Sequence, residues 1–171
     1  EPGTYRLVKQ VGEKTLTAEF QVAASGAPEA ETALEDLPQI YGAEEGAADG
    51  CVVFTGHGVE HADGVSTFLR QVRLGIPCRL RTVQDYGEGA SMVIDVVYEA
   101  GGFRWQMRNN GEFYEQEFSN LVTDGVSICL GNAADWETAR EAPMAFLIPD
   151  GTLGMDYETA LAESIMEKQA Q

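Results

Sequence analysis

Two periods of apolar residues alternate along this chain. A period of two marks residues 14–24, where Leu16, Ala18, Phe20 and Val22 alternate with polar neighbours. Residues 4–11 form the matching strand across Gly12-Glu13, so 1–24 reads as an N-terminal β-hairpin. Gly26 and Pro28 then mark a linker, and Leu34, Leu37 and Tyr41 predict a short helix near 30–37 that Pro38 stops. A helical turn over 43–49, with Gly50 as its left-handed cap, leads into a strand at 51–54. A period of 3.6 follows. Val65, Phe68, Leu69 and Val72 recur at i, i+3, i+4 and i+7, with Asp63 placed to cap the helix and Gly75 and Pro77 to end it.

The period of two then returns in a punctuated series: strands at 78–86, 91–99, 103–108, 112–122 and 126–130. Gly87-Glu88-Gly89, Gly101-Gly102, Asn109-Asn110-Gly111 and Asp124-Gly125 separate them, and Asn110-Gly111 is a strong hairpin signal. Connections this short predict an antiparallel meander. The tail adds a strand at 144–148 between Pro143 and Pro149, and a helix from Tyr157 to Lys168 capped by Asp156, with Tyr157, Leu161 and Ile165 on one stripe. The expected fold is α+β: a two-layer unit in which helices pack on one face of an antiparallel meander sheet. A single domain over 1–171 is expected, made of the hairpin, a core at 41–130, and a C-terminal strand and helix at 143–171.

Charge sharpens this picture. The chain of 171 residues carries a net −17, yet six of its eleven basic residues (Arg70, Arg73, Arg79, Arg81, Arg104, Arg108) fall between positions 70 and 108. That window holds four acids and is formally +2. The overall charge argues against nucleic acid, which needs a positive footprint. Arg70 and Arg73 belong to the helix. Arg79, Arg81, Arg104 and Arg108 fall on the sheet positions opposite the bulkiest apolar residues, Leu80, Phe103, Trp105 and Met107. Such a face suits carboxylates or phosphates, because the guanidinium fork matches them. The competing reading is charge balance against Asp95, Glu99, Glu115 and Glu117 across neighbouring strands.

The second candidate is Gly56-His57-Gly58-Val59-Glu60-His61, which holds both histidines and formally matches H-x-x-E-H. That motif needs a helix to set two imidazoles on one face beside a glutamate that activates water. Here two glycines and a preceding strand favour a loop. His57, Glu60, His61 and Asp63 therefore stand as possible ligand contacts where a strand gives way to a helix. A metal-dependent hydrolase centred on His57, Glu60 and His61 is the alternative function.

No other chemistry is signalled. Phosphate-loop, dinucleotide and serine-elbow motifs are missing, so neither a cofactor nor a catalytic residue is assigned. Cys51, Cys78 and Cys129 sit in apolar strands without zinc spacing and read as buried small hydrophobes. Trp105 reads as core, and Trp136 as packed beneath the tail. No apolar run approaches the roughly 18 residues of a spanning helix. The sequence starts at Glu1 rather than Met and shows no signal peptide, which leaves room for a leader cleaved upstream.

Residues 41–98, about a third of the chain, resemble a family of uncharacterised bacterial domains found in cell-surface lipoproteins. The resemblance runs through Tyr41-Gly42, Asp49-Gly50 before Cys51-Val52-Val53, His57-Gly58, Phe68-Leu69 and Val72, Leu80-Arg81-Thr82-Val83, and Ile94-Asp95-Val96-Val97-Tyr98. It implies an extracellular or cell-surface protein, with a possible lipid anchor upstream of Glu1 and no known activity. It also implies that His57-Gly58 belongs to the scaffold. The expected function is a non-enzymatic, extracytoplasmic binding or protein-interaction module for an unknown protein, peptide or small ligand.

Overall fold

The computed structural model describes residues 3–12, 14–22, 32–85, 87, 91–148 and 156–170. The chain divides into two compact units, Glu1–Thr32 and Ala33–Gln171. The first holds the expected hairpin: β1 (Gly3–Val11) and β2 (Lys14–Val22) pair antiparallel from Gly3↔Val22 to Val11↔Lys14. Arg6 lies opposite Glu19 and binds it, and Val8 and Leu16 stay exposed. Residues 23–31, including the whole proposed linker and the start of the predicted helix near 30–37, lie outside the described residues.

The second unit begins with a 3₁₀ turn, Leu34–Asp36, where a helix was expected, and a short α1, Ala43–Ala48. Gly50, at φ +74°, closes α1 as predicted: Gly50 N–H donates to Ala47 O at 3.1 Å and Cys51 N–H to Gly46 O at 2.8 Å. This left-handed cap satisfies carbonyls that the helix end would otherwise leave open. It also aims the chain into β3, Val52–Thr55. After β4 (Gly58–Glu60) comes α2, Asp63–Leu74, whose expected stripe of Val65, Phe68, Leu69 and Val72 is buried and which Gly75 ends at φ +72°. Asp63 is not the cap. Ala62 holds that position without a side-chain bond, and Asp63 stands in the first turn, where a negative charge favours the helix dipole.

Strands β5 (Cys78–Asp85), β6 (Met92–Glu99), β7 (Gly102–Asn109) and β8 (Glu112–Phe118) form the predicted meander, each antiparallel to the next. The sheet as a whole corrects the purely antiparallel expectation. Its order is β4-β3-β5-β6-β7-β8, and β3 runs parallel to β5, with α2 as the crossover between them. Parallel neighbours need a crossover of a dozen residues or more, and α2 supplies it. The predicted strand 112–122 breaks at Ser119. Its second part, β9 (Asn120–Thr123), joins a separate sheet with β10 (Ile128–Gly131) and a two-residue β11 (Ala145–Phe146). The tail closes with α3 (Trp136–Ala139) and α4 (Asp156–Gln169). The Asp156 cap and the Tyr157 contact lie outside the described side chains.

Side-chain parity sorts the core. Val52, Phe54, Leu80, Ile94, Val96, Phe103 and Phe118 face α2, and Leu161, Ala162 and Ile165 of α4 join the same cluster. Burying a side chain such as Phe54 or Phe68 stabilises the fold by roughly 1.5–3 kcal/mol. The alternate residues Val53, Val83 and Val93 face the other way and pack with Leu34, Leu37, Tyr41 and Cys51. Helical segments therefore lie on both faces of the sheet, not on one. Gly46 makes this approach possible: a Cβ there would sit 2.6 Å from Val83 Cγ2. Trp136 packs against the cluster of Val122, Cys129 and Ala139, which Met166 of α4 also joins.

Candidate functional site

Four residues in register across β5, β6, β7 and β8 form each cross-strand row on the arginine face. One row is Arg81, Asp95, Gln106 and Glu115; the next is Arg79, Val97, Arg104 and Glu117; a third is Val83, Val93, Arg108 and Phe113. The structure thus brings Arg79, Arg81, Arg104 and Arg108 onto one face, as strand alternation predicts, but it gives them different work.

Arg81 is buried and forked on Asp95, itself inaccessible to solvent: Nε to Oδ1 is 2.6 Å and Nη2 to Oδ2 is 2.7 Å. Arg79 Nε lies 3.7 Å from Asp95 Oδ2. Arg108 donates to the carbonyls of Leu37 at 2.8 Å and Pro38 at 3.0 Å, tying the 3₁₀ turn over β6 and β7. These three arginines hold the molecule together. Charge balance, the competing reading of the sequence, describes Arg79 and Arg81, whereas Arg108 is held by neutral carbonyls.

Arg104 differs. Its Nη2 reaches only to 3.5 Å from Glu99 Oε1, and its Nε is buried without a hydrogen-bond partner among the described residues. It lines a cleft of about 620 Å³ with Glu99, Phe103, Glu117, Ser119 and Asn132. A second cleft, of about 910 Å³, opens at the other end of the β7–β8 hairpin beside Ile40, Glu44, Asp85, Ser91 and Arg108. Within it Asp85 accepts from Gly87 N at 3.0 Å, Ser91 Oγ at 2.9 Å and Ala43 N at 3.2 Å. The Gly87 N–H, then Ser91 and the Ala43 N–H, favour the charged carboxylate and hold Asp85 below the ordinary carboxylate range.

The histidine segment folds as a hairpin rather than a helix. β4 pairs antiparallel with β3, placing Glu60 opposite Val53 and Gly58 opposite Thr55. His57 sits exposed in the turn, its backbone N–H bonded to Thr55 Oγ1 at 3.2 Å. His61, at φ +53°, has its Nε2 3.1 Å from Ala47 O. Glu60 and Asp63 are exposed as well. Among the described residues no three of His, Cys, Asp or Glu come together as a metal-ligating group. The three cysteines are thiols, and burial pushes Cys78 up to about 12.

Sequence reasoning missed β8 as a surface. Six of its seven residues, Glu112 to Glu117, are exposed, and Phe113 and Tyr114 show 42% and 45% of their surface. Beyond β8 the sheet has no further strand among the described residues. The signal was present in Glu112-Phe113-Tyr114-Glu115-Gln116-Glu117-Phe118, a strand polar on both faces with three carboxylates, which is how sheet edges are kept from indiscriminate pairing. The opposite edge, β4, has only three residues. No protein-family model matches this chain, and comparisons with curated proteins and with solved structures return no match.

Proposed function

We propose that this chain is a non-enzymatic, extracytoplasmic binding or protein-interaction module that meets its partner along the β7–β8 end of the large sheet. The observation that carries this reading is the state of β8, a full-length edge strand exposed on both faces, with two aromatic side chains in solvent. Arg104, whose Nε is buried without a hydrogen-bond partner among the described residues, lies beside it. In this reading α2 and α4 form the layer behind the sheet and leave the edge open. An extracytoplasmic location rests on the resemblance of residues 41–98 to cell-surface lipoprotein domains.

The test is site-specific photocrosslinking in the source cells. A benzophenone side chain at Tyr114 is expected to give a discrete adduct that unlabelled protein competes away. The same group at Leu74, exposed at the end of α2, is expected to give none. Equal labelling at both sites, or none at Tyr114, would overturn the proposal. Export is checked separately by fractionating the cells.

A further inference from the structure

The geometry points to a specific class of partner for this edge: an extended segment alternating basic and apolar residues, added to β8 as a further strand. The inference rests on the interaction reading above and names the chemistry of its partner.

The hairpin fixes which backbone groups are open. Asn109 and Glu112 flank the two-residue turn Asn110-Gly111, whose φ values of +50° and +79° make it a type I′ turn. In such a hairpin the flanking residues exchange both backbone bonds, and alternate residues follow. Glu112, Tyr114, Gln116 and Phe118 are therefore turned toward β7. The N–H and C=O groups of Phe113, Glu115 and Glu117 point outward.

The cross-strand rows then state what should come next. The first runs from Arg81 to Asp95, Gln106 and Glu115, and ends on a carboxylate whose near neighbour is a neutral amide, Gln106 Nε2 at 2.5 Å. The second ends on Glu117. Its register partner Arg104 approaches Glu99 instead, so Glu117 has no cation partner among the described residues. A strand beside β8 would complete both rows with Lys or Arg. On its other face it would lie beside Tyr114 and Gln116, which suits apolar or β-branched residues.

A second copy of this chain does not fit. Pairing β8 with itself would place glutamates against glutamates or aromatics, and each copy carries −17. Like charges directly opposite oppose pairing.

The experiment uses the full chain and three short synthetic peptides alternating valine with lysine, threonine or glutamate. Amide exchange is followed residue by residue. The lysine peptide is expected to slow exchange at Phe113, Glu115 and Glu117, while Tyr114 and Gln116, already bonded to β7, change little. The threonine peptide should bind about twofold to thirtyfold more weakly, as expected for two lost cross-strand charge pairs. The glutamate peptide should not bind.

Glu115→Pro removes an outward N–H and is expected to abolish binding. The charge-reversed E115K/E117K protein retains every backbone bond, so it stands as a control if the proline variant fails to fold. It should exchange the preference and take the glutamate peptide. Equal binding of the lysine and threonine peptides would overturn the basic class while leaving the edge as a docking site. Lysine-peptide binding that leaves the β8 amides untouched, or concentration-dependent dimers protected at β8, would overturn strand addition itself.

Discussion

The two ends of one sheet face carry the same kinds of residue and treat them in opposite ways. At β5–β6, Arg81 and Asp95 are buried and joined by two short bonds. At β7–β8, in the same cross-strand row, Gln106 is half-buried and Glu115 is exposed. Both pairs hold a carboxylate, and position in the sheet decides whether it is buried. β5 and β6 have strands on both sides, and the 3₁₀ turn and α1 pack on the neighbouring Val83 and Val93. β8 has a strand on one side only. A charge pair in the first setting has lost its water and depends on its geometry. In the second, a carboxylate bonded to a neutral amide keeps its water and contributes little to stability, which leaves it available for binding.

The sharpest way to break this contrast is at its buried end. Asp95→Ala would leave the Arg81 guanidinium buried without its carboxylate and should cost about 3–5 kcal/mol in urea unfolding. Replacing both partners with apolar residues of similar volume, as in R81M/D95L, should recover much of that loss. A double variant as unstable as Asp95→Ala would show that the pair does more than satisfy itself.

Arg108 stands between the two ends, since it ties the 3₁₀ turn to β7. Arg108→Ala removes two charged hydrogen bonds to carbonyls and is expected to cost about 1.5–3 kcal/mol, with faster proteolysis near Pro38. A smaller and opposite effect is expected at the β6–β7 turn. Ala100 occupies φ +52° in a two-residue turn where Asn110 serves the β7–β8 turn. Ala100→Asn should raise stability by about 0.5–1 kcal/mol, because asparagine tolerates this left-handed region better. At the exposed end, Gln106→Ala should stay within about 0.5 kcal/mol of the parent protein. A larger loss there would remove the distinction between the two ends.

Acid probes the same face from its margin. The folded-state pKa of Asp85 is lowered, so its contribution to stability is present above the unfolded carboxylate value and is lost as pH falls through the lower folded value. Unfolding followed from neutral pH down through the carboxylate range should therefore show α1 loosening, and Asp85→Asn should flatten that part of the profile. The effect is modest because Asp85 is only half-buried.

Much of the fold was legible in the chain because it is written in local periods. Val65, Phe68, Leu69 and Val72 could face a core only as a helix, and Asn110-Gly111 could hardly do anything but turn a hairpin. The arginine face followed from strand alternation alone. Less legible were features that depend on which elements become neighbours. The parallel pairing of β3 with β5 was hinted at by a strand, a helix and a strand in succession, but the short segment 58–60 between them hid the unit. The split of 112–122 at Ser119 left no pattern, since both halves alternate alike. His57, Glu60 and His61 matched a motif whose chemistry needs a helix, and the two glycines that argued for a loop instead belong to a β-hairpin.

What the sequence by itself determined is most of the longer elements, the side-chain parity of the meander strands and the placing of four arginines on one face. These depend on side-chain spacing along a single segment, so they need no partner to be read. What only the tertiary structure decided is the fate of those arginines and the openness of β8. Burial and exposure are set by neighbours distant in the chain. Arg81 lost its water because Asp95 and the surrounding strands closed around it, and Glu115 and Glu117 kept theirs because no further strand of the sheet follows β8.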